Sequence, residues 1–235
     1  MSQSSERGFF YMAYNMRKKS FGYPGNDPMQ GDYGKTFRKA VAHCVDKKEI
    51  VERLLQNFGI AADGPVSAID TDWYNDSLPQ FGFDPDQAIR LLAYGADNNP
   101  DTADDYVLTD PTKDPGKGNW WKNPDGTPLG SGDGGKIEIL TPPADYDPIR
   151  AQAGIMIATQ MQNVGINAES IALDFGTIVQ RIDQRNFDMY ILGWSIGSDP
   201  TDFLYAFFHS STVESGQNYP GYRNASFDSI IDHAR

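Results

Sequence analysis

Residues 136–194 read KIEILTPPADYDPIRAQAGIMIATQMQNVGINAESIALDFGTIVQRIDQRNFDMYILGW, and the periodicity of this stretch decides the fold. Ile137-Glu138-Ile139-Leu140 alternates as a strand does. Asp147 stands before Pro148, a pair that caps and opens a helix. Ile149, Ala153, Met156, Ile157, Met161 and Val164 then recur on one helical face, and Gly165 stops it. Residues 166–173 read as a second strand, and Phe175, Val179 and Ile182 mark a second helix. Met189-Tyr190-Ile191-Leu192 is apolar enough for a strand buried on both faces. The order strand, helix, strand, helix, strand implies a parallel sheet with right-handed crossovers. If such a sheet is doubly wound, its ligand crevice lies beyond the C-terminal ends of the strands. Here those ends are residues 141–146, 174–176 and 194–200.

Upstream, Phe9-Phe10-Tyr11-Met12-Ala13-Tyr14-Asn15 is rich in β-favouring aromatic residues and reads as a strand. A Gly/Pro/Asp loop follows through Tyr33. A helix over 35–45 carries Phe37, Val41 and Cys44 on one face. Asp46 and Glu49 make a D-x-x-E capping box that restarts a helix, and Ile50, Val51, Leu54, Leu55 and Phe58 follow at helical spacing. Asp84, Pro85 and Gln87 open another helix with Ala88, Leu91 and Leu92 on its apolar face and Gly95 at its end. Residues 96–135 hold 8 Asp, 7 Gly and 5 Pro with few aliphatic side chains, so they are expected to form a long irregular excursion. Trp120 and Trp121 are the residues expected to pin it to the body.

The composition, 39% hydrophobic and 12% aromatic, is enough to bury a core. The formal net charge of −12 and the lack of any Lys/Arg cluster argue against a nucleic-acid binder. No apolar run reaches the length that spans a membrane. Residues 1–7 lack the apolar centre of a signal peptide. The single cysteine, Cys44, excludes an internal disulfide framework and a Cys-rich zinc site, and reads as a small core hydrophobe.

No motif points to bond chemistry: G-x-S-x-G, the P-loop, H-E-x-x-H and G-x-G-x-x-G are all missing. His43, His209 and His233 are scattered, and His43 points to a different helix face from its neighbour Cys44. Asp104 and Asp105 read as solvated acids. Asp110, Thr112 and Asp114 begin like a calcium loop, but Pro115 and Trp121 stand where that loop needs Gly and Glu. No catalytic residue, metal site or cofactor is therefore expected. The leading site candidate is the segment 193–200, which leaves a buried strand at the crevice edge. Trp194 offers a ring on which a ligand stacks, and Ser195, Ile196, Gly197, Ser198 and Asp199 complete the candidate set, with small residues that let a ligand approach the backbone. The segment also reads as a strand-to-helix turn, with Asp199 capping the helix that Pro200 begins, and the two readings are compatible.

Taken in order, these segments resemble the family 5 extracellular solute-binding proteins, which bind oligopeptides, dipeptides or nickel. Tyr14-Asn15-Met16-Arg17 is similar to that family's strand ending in Asn-aliphatic-Arg. Residues 36–51 resemble its arginine-plus-alanine helix running into Asp, a basic residue and Glu-Ile-Val. Asp84-Pro85-Asp86-Gln87-Ala88 with Leu91-Leu92, then Val164-Gly165-Ile166, Phe187-Asp188-Met189 and Gly193-Trp194, are similar to its later landmarks. Asn218-Tyr219, Gly221-Tyr222, Asn224 and Phe227-Asp228 are similar to the stretch that follows. The resemblance covers nearly the whole chain, departing from the family at the 96–135 excursion and at Ser195, Ile196 and Gly197, where members often carry an Asp.

The resemblance implies an α/β fold, one lobe of a type II periplasmic-binding-protein architecture. The expected sheet order is 166–173, 136–141, 188–193, then 9–15 antiparallel beside the third strand. It also implies that residues 1–235 are a single C-terminal lobe, made of the 9–95 strand and helices, the 96–135 loop and the 136–235 unit. The first lobe and the C-terminal end are then expected to be missing. Tyr14, Asn15 and Tyr219 join the ligand-binding candidates. The implied function is capture of an extracellular solute, an oligopeptide, for an ABC importer, without catalysis or cofactor. The implied partners are the peptide and the permease subunits, at an extracellular or periplasmic site with the full-length protein tethered to the membrane. A hydrolase on an α/β scaffold, which needs a nucleophile–base pair, and the sensor lobe of a signalling receptor are the rival readings.

Overall fold

A computed structural model describes residues 7–23 and 27–235. The polar N-terminal residues 1–6 and residues 24–26 of the first loop lie outside the described residues. The aromatic strand is β1 (Gly8–Tyr14), and the first helix is α1 (Lys35–Cys44) with Phe37, Ala40, Val41 and Cys44 buried along one face. The chain restarts as α2 (Lys47–Leu54), where the Asp46 carboxylate accepts from Glu49 N at 2.9 Å. The expected box closes through a third residue. Asp46 N donates to Gln160 Oε1 at 3.1 Å, and Gln160 Nε2 donates to Glu49 Oε2 at 2.9 Å. Helix α2 also stops earlier than its spacing suggested. Gln56 (φ 48) and Asn57 (φ 65) take left-handed backbone, so Phe58 leaves the helical face and is 73% exposed.

Helix α3 (Pro85–Tyr94) opens as expected, with Asp84 accepting from Gln87 N at 2.9 Å. It ends at Gly95, where φ is +62 and a Cβ would stand 2.4 Å from the Asp104 carboxylate, so only glycine fits. The excursion that follows is irregular but held. A short β2 (Val107–Leu108) pairs antiparallel with β3 (Trp121–Lys122). The Asn119 side chain accepts from Asp110 N at 2.8 Å and donates to Asp110 O at 2.9 Å and Lys113 O at 3.0 Å. The Asn123 amide donates to Ser20 Oγ and Pro128 O, each at 2.9 Å. Trp121, 6% exposed, donates its indole N–H to Val164 O at 2.8 Å. Of the two tryptophans expected to anchor this segment, Trp121 is the buried one.

The remaining elements are β4 (Ile137–Thr141), α4 (Pro148–Asn163), β5 (Ala168–Ala172), α5 (Phe175–Asp183), β6 (Met189–Ser195), α6 (Thr201–Phe208) and α7 (Ala225–Ala234). The sheet order is β1-β6-β4-β5, with β4 parallel to β5 and β6, and β1 antiparallel to β6. This is the expected order, read from the opposite edge. Alternate β6 residues feed two cores because successive side chains point to opposite faces. Met189 and Ile191 pack with Ile157 and Met161 of α4 and with α1 and α3. Tyr190 packs with Ile178 and Ile182 of α5. Each such side chain, fully buried, contributes about 1.5–3 kcal/mol. Helix α4 lies close on the sheet at Gly154, where a Cβ would stand 2.5 Å from Thr141 Cγ2 and 2.6 Å from Ser170 Oγ.

Candidate functional site

The parallel strands β4, β5 and β6 end together at Thr141, Ala172 and Ser195, and each is followed by a turn into a helix. The helices begin with acids that the backbone consumes. Asp147 accepts from Arg150 N at 2.9 Å and pairs with Arg150 Nε at 2.6 Å. Asp174 accepts from the Thr177 hydroxyl and from Thr177 N, and these bonds hold its carboxyl below the usual carboxylate range. Asp199 accepts from Thr201 N at 2.9 Å and Thr201 Oγ1 at 2.7 Å, with the same effect on its carboxyl. The charges at this end of the sheet are therefore largely tied up locally.

Aromatic rings fill the space between. Trp194 shares a face of β6 with Tyr190 and stands opposite Phe9 of β1. Its ring is 40% exposed and meets Phe207 of α6 edge-on, centroids 4.9 Å apart. Phe207 stacks on Phe203 at 4.4 Å, and Phe203 meets Phe9 at 5.6 Å. Tyr146, 59% exposed, stacks on Phe175 at 5.5 Å. Beyond Trp194, Ile196 is buried and donates its amide to Arg7 O at 3.2 Å. Ser195, Gly197, Ser198 and Asp199 are exposed. At the start of the segment the Phe10 ring packs over Gly193, where a Cβ would stand 2.7 Å from it.

The other three candidates gather at the opposite end of the sheet. Tyr14 pairs with Met189, the first residue of β6, and burial pushes its phenol pKa up. Asn15 is buried and donates its amide to Arg185 O and Phe187 O, each at 3.0 Å. Tyr219 lies under Arg185, whose guanidinium carbon is 5.3 Å from its ring centre. The antiparallel pairing of β1 explains the split: it carries residue 14 away from Trp194 and brings residue 9 to it. Phe9 is therefore the β1 residue that lies beside Trp194, as the expected strand direction implied. Phe203 and Phe207 lay in the helix after the turn, and their apolar spacing was the only signal.

Two further clusters bear on chemistry. Ser211 Oγ lies 2.7 Å from His209 Nδ1, and His209 Nε2 lies 3.4 Å from Asp232, so a hydroxyl–imidazole contact does exist. The same Nδ1 accepts the Ser211 amide at 3.0 Å, which is how the ring caps the 210–212 turn. Asp97, Asp104 and Asp105 bring ligand atoms within 4.8 Å of one another in the excursion. These acids are not simply solvated as read: Asp104 accepts from Ala96 N at 2.6 Å, and the Thr102 hydroxyl lies 2.9 Å from Asp104 and 3.0 Å from Asp105. Asp110, of the calcium-like run, is taken by Thr112 and Lys113.

A profile for bacterial extracellular solute-binding proteins, family 5 Middle, matches residues 1–215. The oligopeptide-binding protein AppA of Bacillus subtilis is 24% identical over 204 residues, 86% of this chain and 33% of that protein. The dipeptide-binding protein of Escherichia coli is 23% identical over 229 residues, 96% of this chain and 34% of that protein. The chain thus spans about a third of the length of these relatives. Among solved structures, AppA from Bacillus subtilis in complex with a nonapeptide superposes with TM-score 0.75 at 22% identity, covering 97% of this chain and 39% of that one. NikZ from Campylobacter jejuni with Ni(L-His) gives TM-score 0.72 at 20% identity, covering 98% and 39%. At these identities the superpositions establish the fold.

Proposed function

Because this chain belongs to the bacterial extracellular solute-binding proteins of family 5, we propose that it captures an oligopeptide outside the cytoplasmic membrane for an ABC importer. In this reading the full protein is tethered to the membrane and hands its cargo to permease subunits, and ATP hydrolysis belongs to those partners. The chain supplies one wall of the cleft, and a second lobe closes over the ligand. The relatives named for oligopeptides and dipeptides support the ligand class.

The observation that carries the reading is Trp194, an exposed ring at the C-terminal end of a buried strand, followed by exposed Ser195, Gly197 and Ser198. A peptide side chain laid on Trp194 gains up to about 1.5–3 kcal/mol by burial. Ordering the peptide costs roughly 1–2 kcal/mol per fixed residue. One wall alone therefore holds short peptides no tighter than about 1 mM, near −4 kcal/mol. Closure by a second lobe supplies the rest.

Calorimetry tests this with tripeptides, Ni(L-His) and a manno-oligosaccharide titrated separately into the chain. The reading expects saturable heat with tripeptides and a loss of at least about threefold in Trp194→Ala. Saturation by Ni(L-His) or the sugar with none by peptides replaces the ligand class. Turnover of a chromogenic ester, abolished in Ser211→Ala, replaces binding by catalysis.

A further inference from the structure

The end of the sheet opposite Trp194 carries two guanidinium groups, Arg17 and Arg185, with no carboxylate in contact with either among the described residues. Arg17, just past β1, donates through Nη1 to Tyr219 O at 2.7 Å and through Nη2 to Val213 O at 3.1 Å. Arg185, in the turn into β6, donates through Nη2 to the same Val213 oxygen at 3.1 Å and through Nη1 to Ile182 O at 3.3 Å. Two cations therefore share one carbonyl, which occupies both of its lone pairs. Among the described residues, neither guanidinium has a carboxylate oxygen within 4.0 Å. That is unusual in a chain with 32 acids against 20 Lys and Arg. The neighbouring acid, Glu214, pairs with Arg223 at 3.2 Å and acts on Arg17 only from beyond contact distance.

The pair is held together. The Arg17 guanidinium lies over Gly221 (φ +82), where a Cβ would stand 2.8 Å from Nη1, and Arg185 lies against the Tyr219 ring. Confinement keeps like charges adjacent, and burial together with Arg185 holds the Arg17 guanidinium below its ordinary pKa despite the opposing pull of Glu214. Carbonyl oxygens offset only part of this repulsion. Each guanidinium has five N–H donors in a planar fork, and the bonds above use two of its nitrogens, so further donors remain on each for an oxyanion.

We propose that Arg17 and Arg185 form a site for a small oxyanion, phosphate or a carboxylate, that clamps the 209–222 segment to the start of β6. The anion supplies the negative charge the pair lacks, and fork-like bonds give it a fixed place. This site is separate from the Trp194 wall and does not depend on the function proposed for that wall.

The test follows the arginine Nε–Hε resonances and the thermal midpoint of the chain while sodium phosphate replaces sodium chloride at constant ionic strength. Phosphate also stabilises proteins by exclusion from their surface, so Arg185→Gln sets the baseline. The expected result is a saturable rise in midpoint, with Arg17 and Arg185 resonances moving at the same half-saturation and exposed Arg90 unmoved. Half-saturation rises at least tenfold in Arg185→Gln. If that variant does not fold, the resonance titration of the unaltered chain decides alone. A parallel acetate titration separates the two sources: equal shifts extend the site to carboxylates, and none restricts it to phosphate. A midpoint rise undiminished in Arg185→Gln, or Arg17 and Arg185 resonances that move no more than Arg90's, overturns the site.

Discussion

Residues 96–135 and residues 193–200 are both punctuated by Gly, Pro and Asp, yet the first turns its central tryptophan inward and the second turns its own outward. The longer segment has little apolar surface to bury, so polar staples hold it. Asn119 and Asn123 gather backbone carbonyls, and Trp121 docks on the end of α4. Its foot is tied by Asp188, which accepts from Ser131 N at 3.0 Å and Glu138 N at 3.1 Å and pairs with Lys18. The shorter segment spends its one acid, Asp199, on the next helix and leaves Trp194 and the polar turn open. Loop composition alone does not separate a stapled excursion from a turn that leaves its ring exposed. What separates them is whether the large side chain has a backbone partner waiting.

The comparison breaks most readily at Trp121. Trp121→Ala removes a buried ring and leaves Val164 O without its donor, and is expected to lower unfolding free energy by about 3–5 kcal/mol in urea titration. A loss below about 1 kcal/mol would show that the ring is not the anchor. Asn119→Ala is expected to cost about 1–3 kcal/mol, because Asp110 N and the carbonyls it serves lose their partner together. Limited proteolysis of that variant should begin within 109–120, and cleavage beginning elsewhere would contradict the staple.

The contrast with the turn appears in Trp194→Ala. Trp194 is partly exposed and meets Phe207 edge-on, so the expected stability change is below about 1 kcal/mol, close to that of ordinary surface substitutions. A loss equal to that of Trp121→Ala would make it a core residue and remove it from the ligand wall.

Smallest of all is the expected effect of acid on the turn. The Asp199 carboxyl is held below its ordinary value by the Thr201 amide and hydroxyl. A depressed folded-state pKa stabilises the fold above the ordinary Asp value of about 3.9, and this contribution is lost as pH falls through the folded value. Carboxyl carbon shifts should place the Asp199 midpoint below that of an unstructured Asp, and Thr201→Ala should move it back up. A midpoint at the ordinary value in the unaltered chain would mean the cap is not formed.

Much of this fold was legible because its information is local. Caps at Asp84 and Asp147, the alternation of 137–140 and the apolar run of 189–192 place helices and strands without knowledge of distant residues. The strand order followed from those elements and the family resemblance. What stayed hidden depends on partners far along the chain. Gln160 completes the cap at Asp46 from more than a hundred residues away, and Val164 receives the Trp121 indole. The candidate site was half legible: Trp194 follows a readable strand, whereas Tyr14 and Asn15 came from the family motif, although the antiparallel direction expected for 9–15 already carries them to the other end of the sheet. Antiparallel pairing with β6 puts Tyr14 beside Met189 and Phe9 beside Trp194.

Where a ligand lands is reported directly by the indole N–H resonances of Trp194 and Trp121, two of the four tryptophans. Amide and indole spectra of the chain should be recorded while a tripeptide bearing one aromatic residue is added to about ten times the expected 1 mM dissociation constant. The account predicts that the Trp194 indole and the amides of 195–199 shift together and saturably, while the Trp121 indole stays in place. A stationary Trp194 across the titration, or shifts centred on Trp121 and 96–135, would contradict it.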